Sequence, residues 1–222
     1  MTATTNSQAL ATPEVSATAS GLKGGPILTL VNLGLAISST VILLLVQGIS
    51  IESLHEAMKL ITKIGFPFFI LTAIARPLHD LIGNPATRWM LGNRRYIGLS
   101  FASWHLMHWP ILAGMMLVVG PVQFWDDFQD FIIPAGCVLL VITLMAATSN
   151  NRSVRFLGKP VWSAIHTIGL YVIGYWFVHV YLSRLEWNKQ TYTYVYLGLI
   201  FAALAFRWVM TVTRFVKKRR QR

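Results

Sequence analysis

Four histidines, His105, His108, His166 and His179, fall inside apolar stretches of the chain. An ionisable or metal-ligating group at membrane depth is costly, and marks a functional site by default. Neutral imidazole is the commonest protein ligand for metals, haem iron among them. The residues around these histidines are aromatic and apolar: Phe101, Trp104, Trp109, Tyr171, Tyr175, Trp176 and Phe177. Neither stretch carries a carboxylate, whereas zinc and di-iron sites in helical bundles recruit Asp or Glu alongside His. Two neutral imidazoles from facing helices suit a six-coordinate haem, which moves single electrons rather than activating oxygen. Proton relay and hydrogen-bonded packing are the competing uses of such residues. His55 and His79 fall in a loop and at a span end, where solvation explains them.

Spacing limits what the four can hold. His105 and His108 are separated by ~4.5 Å of helical rise and ~60° of azimuth, so at most one of them ligates a haem. His166 and His179 are separated by ~20 Å of rise, enough for two haems stacked across a bilayer, but by ~140° of azimuth. Three solutions are open: a helix distorted near Gly169 and Gly174, rings that reach round, or a single ligand. Counted from the span ends near Arg95 and Val161, depth does not decide which of the two His108 would face.

The elements that must position these residues follow from composition. Of 222 residues, 55% are hydrophobic and 12% charged, and mean hydropathy is +0.56. A soluble domain would carry about a quarter charged residues, so the class is an all-α integral membrane protein. Six candidate spans cover 26–48, 60–78, 95–119, 131–148, 161–183 and 192–215. Pro67 falls inside the second, where neighbouring side chains must satisfy the carbonyl it frees. Residues 1–25 read as a disordered tail, 26–216 as one six-helix domain, and 217–222 as a basic tail.

The net charge of +11 gathers in short segments between spans. That is a topology signal rather than a nucleic-acid footprint. Arg88, Arg94 and Arg95, then Arg152, Arg155 and Lys159, then the C-terminal basic run, alternate with an acidic loop at 120–130 holding Asp126, Asp127 and Asp130. Both termini are therefore expected in the cytoplasm, of a multi-pass protein in the cell inner membrane. The single cysteine, Cys137, excludes an intramolecular disulfide and a thiolate cluster. No GxGxxG or P-loop pattern occurs, and no soluble nucleotide-binding domain is expected. A small proton-conducting transporter and a non-catalytic scaffold are the rival classes. The transporter's usual signs, broken helices in symmetric halves and intramembrane carboxylates, are not evident in the sequence.

Two segments resemble a known family. NRRYIGLSFASWHLMH (93–108) and LGKPVWSAIHTIGLYVIGYWFVHVYLSR (157–184) are similar to the two haem-binding helices of the ferric-reductase-like transmembrane family. The resemblance covers roughly 60–215 and implies six helices with haem b, one or two, held by histidines of the third and fifth. It assigns His108 as the third-helix ligand, His179 as its partner for the haem nearer the outer face, and His166 to the inner face. His105 leaves the third-helix ligand ambiguous by one turn. Related families place a second third-helix histidine where this chain has Arg94. His166 would then ligate with another partner, or bind a propionate or a flavin. The resemblance also implies an electron donor at the cytoplasmic side, whether a flavoprotein, reduced flavin such as FMN, or membrane quinol. Arg94, Arg95, Arg152, Arg155 and Lys159 are placed to hold a phosphate-bearing flavin there. The acceptor implied is an outer-face protein, such as a periplasmic methionine sulfoxide reductase.

Overall fold

The computed structural model describes residues 24–187 and 191–220. Most of the expected N-terminal tail, and the last two residues of the basic C-terminal run, lie outside the described residues. Nine helices are present among the described residues, in the order α1 (Gly25–Gln47), α2 (Ile51–Ile82), α3 (Pro85–Gly92), α4 (Arg94–Leu106), α5 (His108–Val119), α6 (Pro121–Ala147), α7 (Asn151–Leu157), α8 (Lys159–Trp187) and α9 (Thr191–Arg220). Six of the helical segments are long and apolar enough to cross a membrane, α4 and α5 together forming one of them. Large apolar side chains such as Leu30, Leu45 and Val46 of α1 point outward, as a lipid solvent permits.

Helix ends follow local chemistry. Proline stands in the first turn of α1, α3 and α6, where a missing N–H costs nothing. Ser50 and Ser53 cap the start of α2 reciprocally. Asn84 and Asn150 accept from the backbone N–H groups of Thr87 and Ser153 to start α3 and α7. The third span breaks at Met107, between the two neighbouring histidines. Pro110 is the cause: it has no N–H for the Leu106 carbonyl, and the Met107 N–H reaches back only three residues, to Trp104 at 3.3 Å.

Two segments differ from the sequence expectation. The acidic 120–130 stretch is helical and forms the first turns of α6, which runs from Pro121 to Ala147 with Pro134 inside it. The second span, expected at 60–78, is 32 residues long and runs through both of its prolines. Those prolines free two carbonyls of α2, and α9 satisfies both. Tyr196 donates to the Lys63 carbonyl, four residues before Pro67, at 3.4 Å. Arg207 donates to the Ala73 carbonyl, four residues before Pro77, at 3.2 Å. Arg94 adds a 2.9 Å bond to the adjacent Thr72 carbonyl.

The core has two apolar centres. One joins Phe66 and Phe69 of α2 to Phe101, Phe177, Tyr181 and Ile200. The other joins Leu54 and Ile61 of α2 to Trp104, Ile111 and Met115. Trp104 also donates to Asn32 Oδ1 of α1 at 2.8 Å, pinning α4 against the first span. In hydrocarbon such a bond contributes roughly 0.6–2 kcal/mol. The glycines of α8 are packing sites rather than distortions. Gly169 lies against Met145 and Val141 of α6, and Gly174 lies against Leu204 of α9.

Candidate functional site

The break at Met107 sets the geometry of the first two histidines. His105 closes α4, and its Nδ1–H donates to the Phe101 carbonyl at 3.2 Å. His108 opens α5, and its Nδ1–H donates to the His105 carbonyl at 2.8 Å. A carbonyl can only accept, so both rings carry their proton on Nδ1 and leave a lone pair on Nε2. An imidazole whose Nδ1–H is fixed by a carbonyl presents Nε2 in the form that ligates metals. His105 Nε2 is buried and has no hydrogen-bond partner. His108 Nε2 lies 3.4 Å from the Thr62 hydroxyl, whose only proton goes to the Met58 carbonyl at 2.7 Å. The two rings stack at 5.6 Å between centroids.

Both imidazoles line one cavity of about 110 Å³ between α2, α4 and α5, α6 and α8. Its other walls include Met58, Leu112, Phe131, Trp176 and Phe177, with Arg184 at one end. The lining is apolar with a few placed polar groups, the character of a small-molecule site, but the space is below the roughly 300–1,000 Å³ of such sites, so a large planar cofactor would need the surrounding helices to move apart. Gly65 completes it: a Cβ there would stand 2.6 Å from His105 Cε1. The ring therefore occupies space that only glycine leaves open.

The fifth-span histidines take different places. His179 lies on the exposed face of α8, its ring 5.5 Å from Trp176. Trp176, Phe177 and Val180 line the histidine cavity instead, so the structure does not bring His179 to His108. The helix is unbroken from Lys159 to Trp187, and the ~140° between His166 and His179 stands. His166 is half-buried near the other end of α8, with its ring 4.3 Å from Trp162. Its Nε2 lies 3.1 Å from the Thr148 hydroxyl, which gives its own proton to the Leu144 carbonyl at 2.7 Å. His166 must then donate from Nε2, the opposite tautomer to His105 and His108.

His166 belongs to a second cavity, of about 560 Å³, together with Arg94, Arg95 and Arg207. Among the described residues, no carboxylate lines it. Arg95 donates to Asn151 Oδ1 at 2.6 Å, while Arg94 and Arg207 hold α2 carbonyls. The sequence grouped Arg94 and Arg95 with Arg152, Arg155 and Lys159; the structure places the first two beside His166. Arg152, Arg155 and Lys159 do not line the cavity. Ile142 and Ile173 line both cavities, which are stacked along the helix axes with that wall between them.

Gly65, Thr62, Arg184 and Arg207 were not singled out by the sequence. The Gly65-Phe66-Pro67 run in an apolar span was the available signal for the first. No family model, curated protein or solved structure matches the chain.

Proposed function

We propose that this chain is a haem b-binding transmembrane electron-transfer subunit, passing electrons from a donor at its arginine-rich side to an acceptor on the opposite face. One observation carries the reading. One buried imidazole, His105, and one half-buried, His108, each with Nδ1 tied to a backbone carbonyl, line one apolar cavity midway along the third span. A buried ligating nitrogen without a partner costs free energy unless something occupies the space before it. His105 or His108 supplies the third-span axial ligand. The resemblance assigns the opposite axial position to His179, which α8 would have to turn inward from its exposed face. When bound, haem b supplies one-electron redox chemistry inside a medium that an unaided charge crosses only at high cost.

The chain's own residues do the rest. Arg94, Arg95 and Arg207 give the second cavity a positive field that draws an anionic or polar donor, a reduced flavin such as FMN or a membrane quinol. Ile142 and Ile173, which line both cavities, form an apolar wall between them. Positive-inside logic makes the arginine-rich side cytoplasmic and places both termini there, in the inner membrane. The outer-face acceptor fits a periplasmic methionine sulfoxide reductase, the partner of the MsrQ branch of the ferric-reductase-like family. The test is a reduced-minus-oxidised visible spectrum of the purified full-length chain. A Soret band with an α-band at the b-type position is expected, and their absence overturns the reading.

A further inference from the structure

We infer that the arginine-rich cavity holds one anionic phospholipid of the adjoining leaflet, its phosphate on Arg94, Arg95 and Arg207 and one acyl chain directed into the bundle. The inference does not depend on the haem reading. A phosphate-bearing donor would reach the same arginines by displacing the lipid.

The cavity, of about 560 Å³, falls within the roughly 300–1,000 Å³ of small-molecule sites. Helix packing creates it: α4 packs on α1, α2, α3 and α6, and α8 packs on α6, α7 and α9, which leaves space between α4 and α8. The lining is sorted by depth. At the mouth Arg95 meets Asn151, while Arg94 and Arg207 are held at the level of Thr72 and Ala73. Deeper in, polar groups give way to Phe69 on α2, Phe101 on α4, Ile142 on α6, and Leu170 and Ile173 on α8. From Arg94 to Ala102 is ~12 Å of helical rise, and from Ser163 to Ile173 ~15 Å.

Charge at the mouth has no counter-ion. Among the described residues, no carboxylate lines the cavity, and the ion pairs present engage Lys59, Arg76 and Arg214 instead. Arg94, Arg95 and Arg207 each give one N–H to the protein, and the buried Arg207 Nε has no hydrogen-bond partner. Such planar N–H forks fit phosphate oxygens in bidentate geometry. A free phosphate would fill the mouth and leave the apolar depth empty. A neutral headgroup would leave the arginines without a counter-ion. An anionic head on a hydrocarbon chain satisfies both ends. The hydrocarbon of one leaflet is ~15 Å deep, half of the ~30 Å core, and the cavity has that depth. Its polar end also faces the way that leaflet's headgroups face. Basic pockets between spans on the cytoplasmic side suit such headgroups.

The experiment frees the full-length chain of lipid in a neutral detergent. It is then titrated with phosphatidylglycerol, its single-chain lyso form, phosphatidylcholine and glycerol phosphate, and native mass spectrometry counts one-to-one adducts. Phosphatidylglycerol and its lyso form should bind at least about tenfold more tightly than phosphatidylcholine. Glycerol phosphate should give no adduct at the same concentrations. Arg95→Gln should weaken phosphatidylglycerol about fivefold, the effect of one basic residue. Arg155→Gln makes the same charge change on the exposed side of α7, outside the cavity, and should leave binding unchanged. Equal affinity for the two phospholipids, or equal weakening by the two variants, reduces the arginines to general surface attraction and overturns the inference. Glycerol phosphate bound as tightly as phosphatidylglycerol overturns the acyl chain's part, and with it the lipid. Were Arg95→Gln not to fold, the wild-type series still decides. Haem content, read from the visible spectrum, bears on none of these outcomes.

Discussion

At the scale of single residues, the site depends on contacts within van der Waals distance of two rings. Gly65 is the sharpest case. A methyl group there would press on His105 Cε1 and Nδ1, at 2.6 and 2.7 Å. His105 is 6% exposed and has nowhere to retreat without disturbing Phe101 or His108. Gly65→Ala should therefore displace the ring, at a cost of about 1–3 kcal/mol for overpacking. In the purified protein, haem content should fall and the α-band should shift or broaden. An unchanged spectrum and haem ratio would show that the ring's position does not matter to the cofactor. A second residue-scale prediction separates the ligands. Of His105→Ala and His108→Ala, one should abolish haem binding and the other should keep it, because one helical turn holds one iron ligand. His179→Ala should also lose haem; full retention would move the second axial position to another ligand-type side chain in the cavity, of which Met58 is the one present.

At the scale of elements, α2 is held in shape by α9. Proline removes an intrahelical bond, and in hydrocarbon the orphaned carbonyl must find another donor. Tyr196 and Arg207 supply those donors at the two places where Pro67 and Pro77 create the need. Tyr196→Phe keeps the ring stacked on Phe66, at 4.6 Å, and removes only the hydroxyl. It should destabilise the bundle by about 0.5–1 kcal/mol in detergent unfolding. In a Pro67→Ala background, where residue 67 regains its N–H, the same change should cost almost nothing. Additive effects in that double-mutant cycle would exclude the pairing.

The six spans were legible because apolar runs of the right length leave few alternatives, and the need to satisfy the Pro67 carbonyl was legible too. The donor was not, since it comes from a residue more than a hundred positions away. The acidic stretch before the fourth span reads as loop because carboxylates break the apolar pattern. Yet an exposed helix beyond the hydrocarbon tolerates them, and the structure extends α6 through them. For the site, the sequence marked His105, His108, Arg94, Arg95 and His166 by type and depth. It could not distinguish tautomers, which depend on which carbonyl or hydroxyl faces each ring. Nor could it fix the face His179 presents, because azimuth along a helix leaves the helix's own rotation in the bundle free.

At the scale of the whole molecule, charge is divided between the two ends and so are the cavities. The end carrying Arg94, Arg95, Arg207 and His166 also carries Asp80, whose carboxylate pairs with Arg76 and Arg214 and so does not neutralise the cavity. Arg94 and Arg207 spend donors on α2 carbonyls, so replacing either would disturb the bundle. Arg95 touches only Asn151 on α7 among its hydrogen-bond partners, which makes it the clean probe of the field. Arg95→Gln removes one positive charge from the cavity mouth and leaves α2 untouched. Reduction of the purified protein by a phosphate-bearing dihydroflavin should then slow several-fold at low salt, and the difference should shrink as ionic strength rises. Reduction by an uncharged quinol of similar potential should be little changed. Stopped-flow traces at the haem α-band measure both. Equal slowing with the two donors would mean that Arg95 acts by shaping the cavity rather than by its charge. No slowing with either would place electron entry elsewhere on the molecule.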